Sequence, residues 1–154
     1  MKFIVVAVGH RMPAWVDAGF AEYAGRMPRD ARIQLEALKP APRGGPVKRV
    51  LETEGQRILA ALPASCFRVA LDERGTLVGT LELARRIERW RNAGRDVAFI
   101  VGGADGLAES VKKCADLVWS LSPLTLPHGL TRVVLAEQLY RAVSILHNHP
   151  YHRE

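Results

Sequence analysis

Short apolar runs alternate along this chain with segments whose apolar residues recur at helical spacing, and this alternation constrains the fold more than any other feature. FIVVAV (3–8) is continuously apolar, as a strand buried on both faces requires. From Pro13 to about Met27, Trp15, Val16, Phe20 and Tyr23 follow a helical period, and proline suits a first turn. Ile33, Leu35 and Ala37 alternate with polar neighbours, which predicts a second strand. KPAPRGGP (39–46) is a Pro/Gly/basic loop, and helical periodicity returns from Val47 to Leu62. CFRVAL (66–71) reads as a strand closed by the turn-like DERG. Thr80 then reads as the cap of a helix running to Asn92, with Gly94 just past its end. DVAFIV (96–101) is the most strand-like stretch. GGADG and a short helix near Ala108–Ala115 follow it. LVWSL (117–121) is the last strand and Thr131 to about Leu146 the last helix.

Strands alternating with helices predict an α/β fold, a parallel-type sheet with helices on both faces. There is no internal repeat and no linker, so residues 1–154 read as a single domain. In such sheets ligands bind beyond the carboxyl ends of the strands. That rule selects Leu71–Gly75, Gly102–Gly106 and Ser122–Leu130.

Lys and Arg outnumber Asp and Glu by 22 to 16, a formal charge of +6 that favours an anionic partner such as nucleic acid. Cys66 and Cys114 have no CxxC or Cys/His partner at metal spacing, so both read as reduced, packed thiols of a cytoplasmic protein. The first apolar run is too short for a secretory signal and is followed by no cleavage pattern. No stretch approaches the length of a membrane span, and no membrane partner is expected.

GGADG invites a dinucleotide-binding reading, but its spacing is not G-x-G-x-x-G and it follows the fourth strand rather than the first. Two readings stay open: a tight strand-to-helix turn, or backbone brought close to a flat ligand. SPLTLPHGLTR (122–132) carries Leu124, Leu126 and Leu130 in a connection stiffened by proline. Either it packs as a hydrophobic loop, or it folds over a cavity and offers backbone groups to the edge of a purine. His128 lies in the expected crevice, as a base, an RNA contact or a structural histidine. Arg132 opens the last helix, where a cation opposes the macrodipole, which hints at a task such as holding an anion. Leu83, Ile87 and Trp90 form the core stripe of their helix. Arg85, Arg86, Arg89, Arg91 and Arg95 cover the rest, as a solvated face or a phosphate contact. The last helix is apolar beyond one stripe, which suggests a subunit interface. The ending HNHPYHRE holds three of the five histidines. Its H-x-H-x-x-H spacing lacks a completing carboxylate or cysteine, and no metal is expected.

VAVGHRMPAWVDAGFAEYAGRMP, LDERG, FIVGGADGL, WSLSPLTLPHGLTRVVLAEQLYRA and NHPYHRE together resemble the RlmH (YbeA-like) family of small SPOUT-class RNA methyltransferases, across essentially the whole chain. The resemblance implies a homodimer whose C-terminal part forms a deep trefoil knot. It implies S-adenosyl-L-methionine as cofactor. The substrate it implies is 23S rRNA within the assembled ribosome, methylated on N3 of a pseudouridine in helix 69. Cofactor contacts then fall on Leu71, Gly103, Ser122, Pro123, Leu124, Thr125, Leu126 and Pro127, within the three loops that the sheet rule selects.

Transfer of a methyl group from sulfonium to nitrogen needs alignment and proton removal, not an enzyme nucleophile. His128, Arg132, Tyr151, His152 and Arg153 are the candidates for that work, with the base unassigned. Arginine suits an anchor for phosphate or a developing O⁻ better than a base. Pro150 stiffens the exit from the last helix. It sets Tyr151, His152 and Arg153 in a direction from which they can cross a cofactor crevice, with that of the partner subunit favoured over their own.

Overall fold

The computed structural model describes residues 1–153. Five strands, β1 (Phe3–Val8), β2 (Ile33–Leu38), β3 (Phe67–Leu77), β4 (Val97–Val101) and β5 (Leu117–Ser120), form one sheet in the order β2-β1-β4-β3-β5. Every neighbouring pair is parallel. The helices are α1 (Ala14–Gly25), α2 (Val47–Ala61), α3 (Thr80–Asn92), α4 (Glu109–Cys114) and α5 (His128–Leu146), and a 3-10 turn over Pro150–Arg153 ends the described chain.

Both faces of the sheet are covered, which is why β1 and β4 can be apolar at every position. Phe3, Val5 and Phe99 point to one side, where Phe20 of α1, Leu83 and Ile87 of α3, and Leu135 and Leu139 of α5 meet them. Ile4, Val6 and Ile100 point to the other, against Ile58 of α2 and Val111 of α4. Each such side chain contributes about 1.5–3 kcal/mol when fully buried. β2 behaves differently: it is an edge strand, and Leu35 and Ala37 of its alternating pattern remain exposed. Trp15 also leaves the core, at 57% exposed, while its helical neighbours Val16 and Phe20 are buried.

Four local readings need correction. DERG does not close β3. Leu71 and Thr76 both stand opposite Trp119 of β5, so Asp72–Gly75 loops out as a bulge and the strand resumes to Leu77. Gly75 is required there, since a Cβ would stand 2.7 Å from the Val118 carbonyl oxygen. Thr80 does not cap α3. Gly79 holds that position, and the Thr80 hydroxyl donates to Gln138 Oε1 of α5 instead. The last helix begins at His128, with Pro127 before it, so Arg132 lies beyond its first turn. Cys66 is packed as expected, but Cys114 is exposed.

Candidate active site

The carboxyl ends of β3, β4 and β5 enclose a cavity of about 830 Å³, within the range of small-molecule sites. One wall is the β3 bulge, from Leu71 to Arg74. A second is the turn Gly102–Leu107. A third is the connection Leu121–Pro127 with His128 and Thr131 of α5. The glycine turn is closed by a hydrogen bond from Gly106 N to Gly103 O at 3.1 Å, and Gly106 takes φ +85. The connection is stitched locally: Ser120 Oγ donates to Ser122 O, and Leu124 N donates to Ser122 Oγ. It is also tied to the bulge, where Thr125 Oγ1 donates to Glu73 Oε2 at 3.0 Å.

Asp72 and Lys112 form the charged floor, with Lys112 Nζ 3.0 Å from Asp72 Oδ2 and 3.0 Å from Glu109 Oε1. Burial opposes ionisation of Asp72, but the Arg74 N–H and the Lys112 ammonium outweigh it and hold the carboxyl below its ordinary range. Lys112 is raised, first by Glu109 and then by Asp72. A depressed carboxyl stabilises the fold above the unfolded pKa, about 3.9, and loses that contribution as pH falls through the lower folded value. Asp72→Asn should therefore cost about 1 kcal/mol at neutral pH. In urea melts compared from pH 7 down to pH 3 the difference should shrink only at the acid end; a constant difference would exclude this origin.

The site residues expected from sequence separate into three groups. Leu71, Gly103, Ser122, Leu124, Thr125, Leu126, Pro127 and His128 all line the cavity. Pro123 does not, although it lies within the connection. Arg132 is the largest fully buried side chain among the described residues, 1% exposed. Its Nη2 donates to the carbonyls of Val8 at 3.1 Å and Gly9 at 2.5 Å, so it braces the end of β1 rather than facing the cavity. Desolvation pulls its pKa down, and the charge of Asp17 partly opposes that. Arg132→Met should leave those carbonyls without their charged donor and cost about 2 kcal/mol, read as a lower urea midpoint with unchanged slope. A wild-type midpoint would show the brace to be dispensable.

Tyr151, His152 and Arg153 form the third group. α5 ends in a Schellman motif: Asn148 takes φ 55, its N–H donates to Ile145 O, and His149 N–H donates to Ser144 O. The chain reverses there, and Tyr151 packs on Tyr140 with ring centroids 4.6 Å apart. Its hydroxyl donates to Glu137 Oε1 at 3.0 Å, and the Arg141 guanidinium lies 4.8 Å from its ring centre. Burial, the Glu137 carboxylate and the Tyr23 hydroxyl together push the Tyr151 phenol well above its ordinary value, so it stays protonated at neutral pH. Glu137 follows His128 by nine residues, about 14 Å along a helix axis. The tail thus lies on its own α5, away from its own cavity. Glu154 lies outside the described residues.

Sequence reasoning named the 71–75 loop but not the side chains of Asp72, Glu73 and Arg74, nor Asp105, Lys112 and Trp119, which also line the cavity. Lys112 carries no local signal, because its partner Asp72 comes forty residues earlier and meets it only through the sheet. No grouping of three or more His, Cys, Asp or Glu that could hold a metal occurs among the described residues. No described helix is long and apolar enough to cross a membrane.

A family model described as "Predicted SPOUT methyltransferase" matches residues 1–152. A protein of Thioalkalivibrio sulfidiphilus named ribosomal RNA large subunit methyltransferase H is 53% identical, with all of both chains covered. One of the same name from Nitrosospira multiformis is 55% identical over 99% of each chain. In three dimensions, a methylase-family protein from Neisseria gonorrhoeae superposes with TM-score 0.58 at 16% identity, covering 90% of this chain and 81% of its own; that likeness concerns the fold alone. With residues 1–152 matched by the family model and relatives more than half identical across the chain, it belongs to the SPOUT methyltransferase family, in the branch of the large-subunit methyltransferases H.

Proposed function

We propose that this chain is an S-adenosylmethionine-dependent methyltransferase acting on N3 of a pseudouridine in helix 69 of 23S rRNA, on the assembled ribosome. It works as a cytoplasmic homodimer with its C-terminal part threaded as a trefoil knot. The observation that carries the reading is the large cavity at the carboxyl ends of β3, β4 and β5, walled by the three loops expected to hold the cofactor. The names of the full-length relatives support the rRNA substrate.

The cavity suits that cofactor chemically. The turn Gly102–Gly106 presents backbone with few Cβ atoms, which admits a flat base, and Leu71, Leu107 and Leu126 give it apolar walls. Asp72, Glu73 and Asp105 offer acceptors to a ribose diol, an ammonium and a sulfonium. When bound, S-adenosylmethionine supplies an electrophilic methyl group. The residues of the chain supply position and proton handling. Leu71, Gly103, Ser122 and 124–127 hold the cofactor, and Pro123 stiffens the connection. His128 stands at the edge of the cavity where a second substrate arrives. Tyr151, His152 and Arg153 reach that edge from the partner subunit, and Arg132 acts beneath it as a positioning residue.

Ribosomes from a strain lacking the enzyme, incubated with the protein and methyl-labelled S-adenosylmethionine, should take up one methyl group per large subunit, at the pseudouridine. Ribosomes that carry the pseudouridine but accept no label would overturn catalysis and favour the second reading, a catalytically silent ribosome-binding module on the same fold.

A further inference from the structure

Against the cofactor cavity lies a second, smaller cleft of about 160 Å³, and the two share Gly103, Ala104 and His128. A transfer between two ligands needs two adjoining sites, and here the wall between them is backbone and one imidazole. The mouth of the cleft carries His10, Arg11 and Arg43. Arg43 Nη2 stands 3.9 Å from Asp105 Oδ2, so the 39–46 loop reaches over toward the glycine turn.

Its floor holds the opposite charge. Glu54 of α2 is only 6% exposed, and its Oε2 accepts the Ala41 N–H at 3.0 Å. Among the described residues nothing donates to its Oε1, which faces Gly103: a Cβ there would stand 3.5 Å from that oxygen. An acidic floor repels a bare phosphate, and its open oxygen, which lines the cleft, can accept from an N–H donor. The Arg11 and Arg43 guanidinium groups at the mouth suit a phosphate. A nucleotide whose base carries an imide N–H satisfies both.

We infer that this cleft is the acceptor-nucleotide subsite, with Glu54 Oε1 accepting an N–H of the base and His10, Arg11 and Arg43 holding its phosphate. The inference rests on the proposed rRNA methyltransferase activity and assigns the side from which the RNA enters. The arginine face of α3 is the weaker candidate for that contact, since none of Arg85, Arg86 and Arg89 lines either cavity and Glu82, within 3.6 Å of all three, offsets one of their charges. Arg132 fits the assignment, because the Val8–Gly9 carbonyls it holds lead directly into His10 and Arg11.

Glu54→Gln tests this in the full-length protein. Glutamine can still accept the Ala41 N–H while turning its amide N–H₂ toward the cleft, so a donor replaces the acceptor. Methylation of unmodified ribosomes should fall about 10- to 100-fold in kcat/KM, while calorimetry gives a wild-type dissociation constant for S-adenosylmethionine. Wild-type kcat/KM with intact cofactor binding would overturn the inference. Ultraviolet crosslinking of the wild-type enzyme to those ribosomes decides independently of how the variant folds. Uridine adducts on peptides spanning 9–12 or 40–43 support the subsite, and adducts confined to 85–95 overturn it. If the wild-type enzyme itself transfers no methyl group, the proposed function falls first; if it does and both tests fail, only this assignment falls.

Discussion

Replacing Gly102 with alanine will weaken S-adenosylmethionine binding by about 100-fold or more and lower the stability of the protein by about 1–3 kcal/mol. A Cβ at that position would stand 2.4 Å from the Gly106 carbonyl oxygen and 2.6 Å from the Gly106 carbonyl carbon, and 3.1 Å from Leu107 Cδ2. The first two contacts are with backbone, which cannot rotate away as a side chain can. The turn must open, breaking the Gly103–Gly106 bridge that shapes the shared wall of both cavities. The loss in affinity, about 2.7 kcal/mol for 100-fold, is as large as the loss in stability because the turn itself forms a cavity wall, while only its Leu107 belongs to the core. Calorimetry with the cofactor and urea melts measure the two effects. Gly25→Ala is the control: nothing lies within 4 Å of its Cβ position, so binding should be unchanged and stability equal or slightly raised. A Gly102→Ala protein with wild-type affinity would show that the turn can move without cost, and with it the reading of GGADG as ligand-facing backbone would fail.

How far the sequence carried depended on whether the deciding contact was local. β1 and β4 were legible because burial on both faces leaves an uninterrupted apolar run, and Leu83, Ile87 and Trp90 were legible because the α3 stripe repeats within one helix. The β3 bulge was not, because whether DERG ends a strand or loops out of one is settled by pairing with Trp119, more than forty residues on. The cavity walls could be placed by the rule for parallel sheets. The Asp72–Lys112 floor could not, since neither residue signals the other. Glu54 left a trace that went unused: it stands between Val50 and Ile58 on the buried stripe of α2, a carboxylate where the helical period demands an apolar residue. Arg132 was singled out correctly as anomalous but for a cause the structure changes. Its charge is directed at the carbonyls of Val8 and Gly9, not at a ligand.

Deleting residues 151–154 should abolish methyl transfer, with a loss of at least about 100-fold, and leave the dissociation constant for S-adenosylmethionine within about threefold of wild type. The cofactor cavity owes nothing to the tail: no residue of Tyr151–Arg153 lines it. What the tail touches is Tyr140, Glu137 and, through its ring, Arg141 on α5, so its loss also costs a modest amount of packing that a melt will register. The separation of about 14 Å between Glu137 and His128 along α5 gives the prediction its sharper form. With the tail packed on its own α5 and absent from the cavity lining, the proposed site draws its tail from the partner of a dimer. With cofactor near the wild-type dissociation constant, mixing the tail-less chain with the Gly102→Ala chain should then restore activity that neither shows alone. Each mixed dimer joins one sound cavity to one sound tail, so random pairing should recover about a quarter of the wild-type rate. If the tail acts within its own chain, the mixture stays silent, because one protomer lacks the cavity and the other the tail. A mixture as inactive as its components, in dimers proven to have exchanged, would therefore sink the composite site while leaving the methyltransferase reading in place.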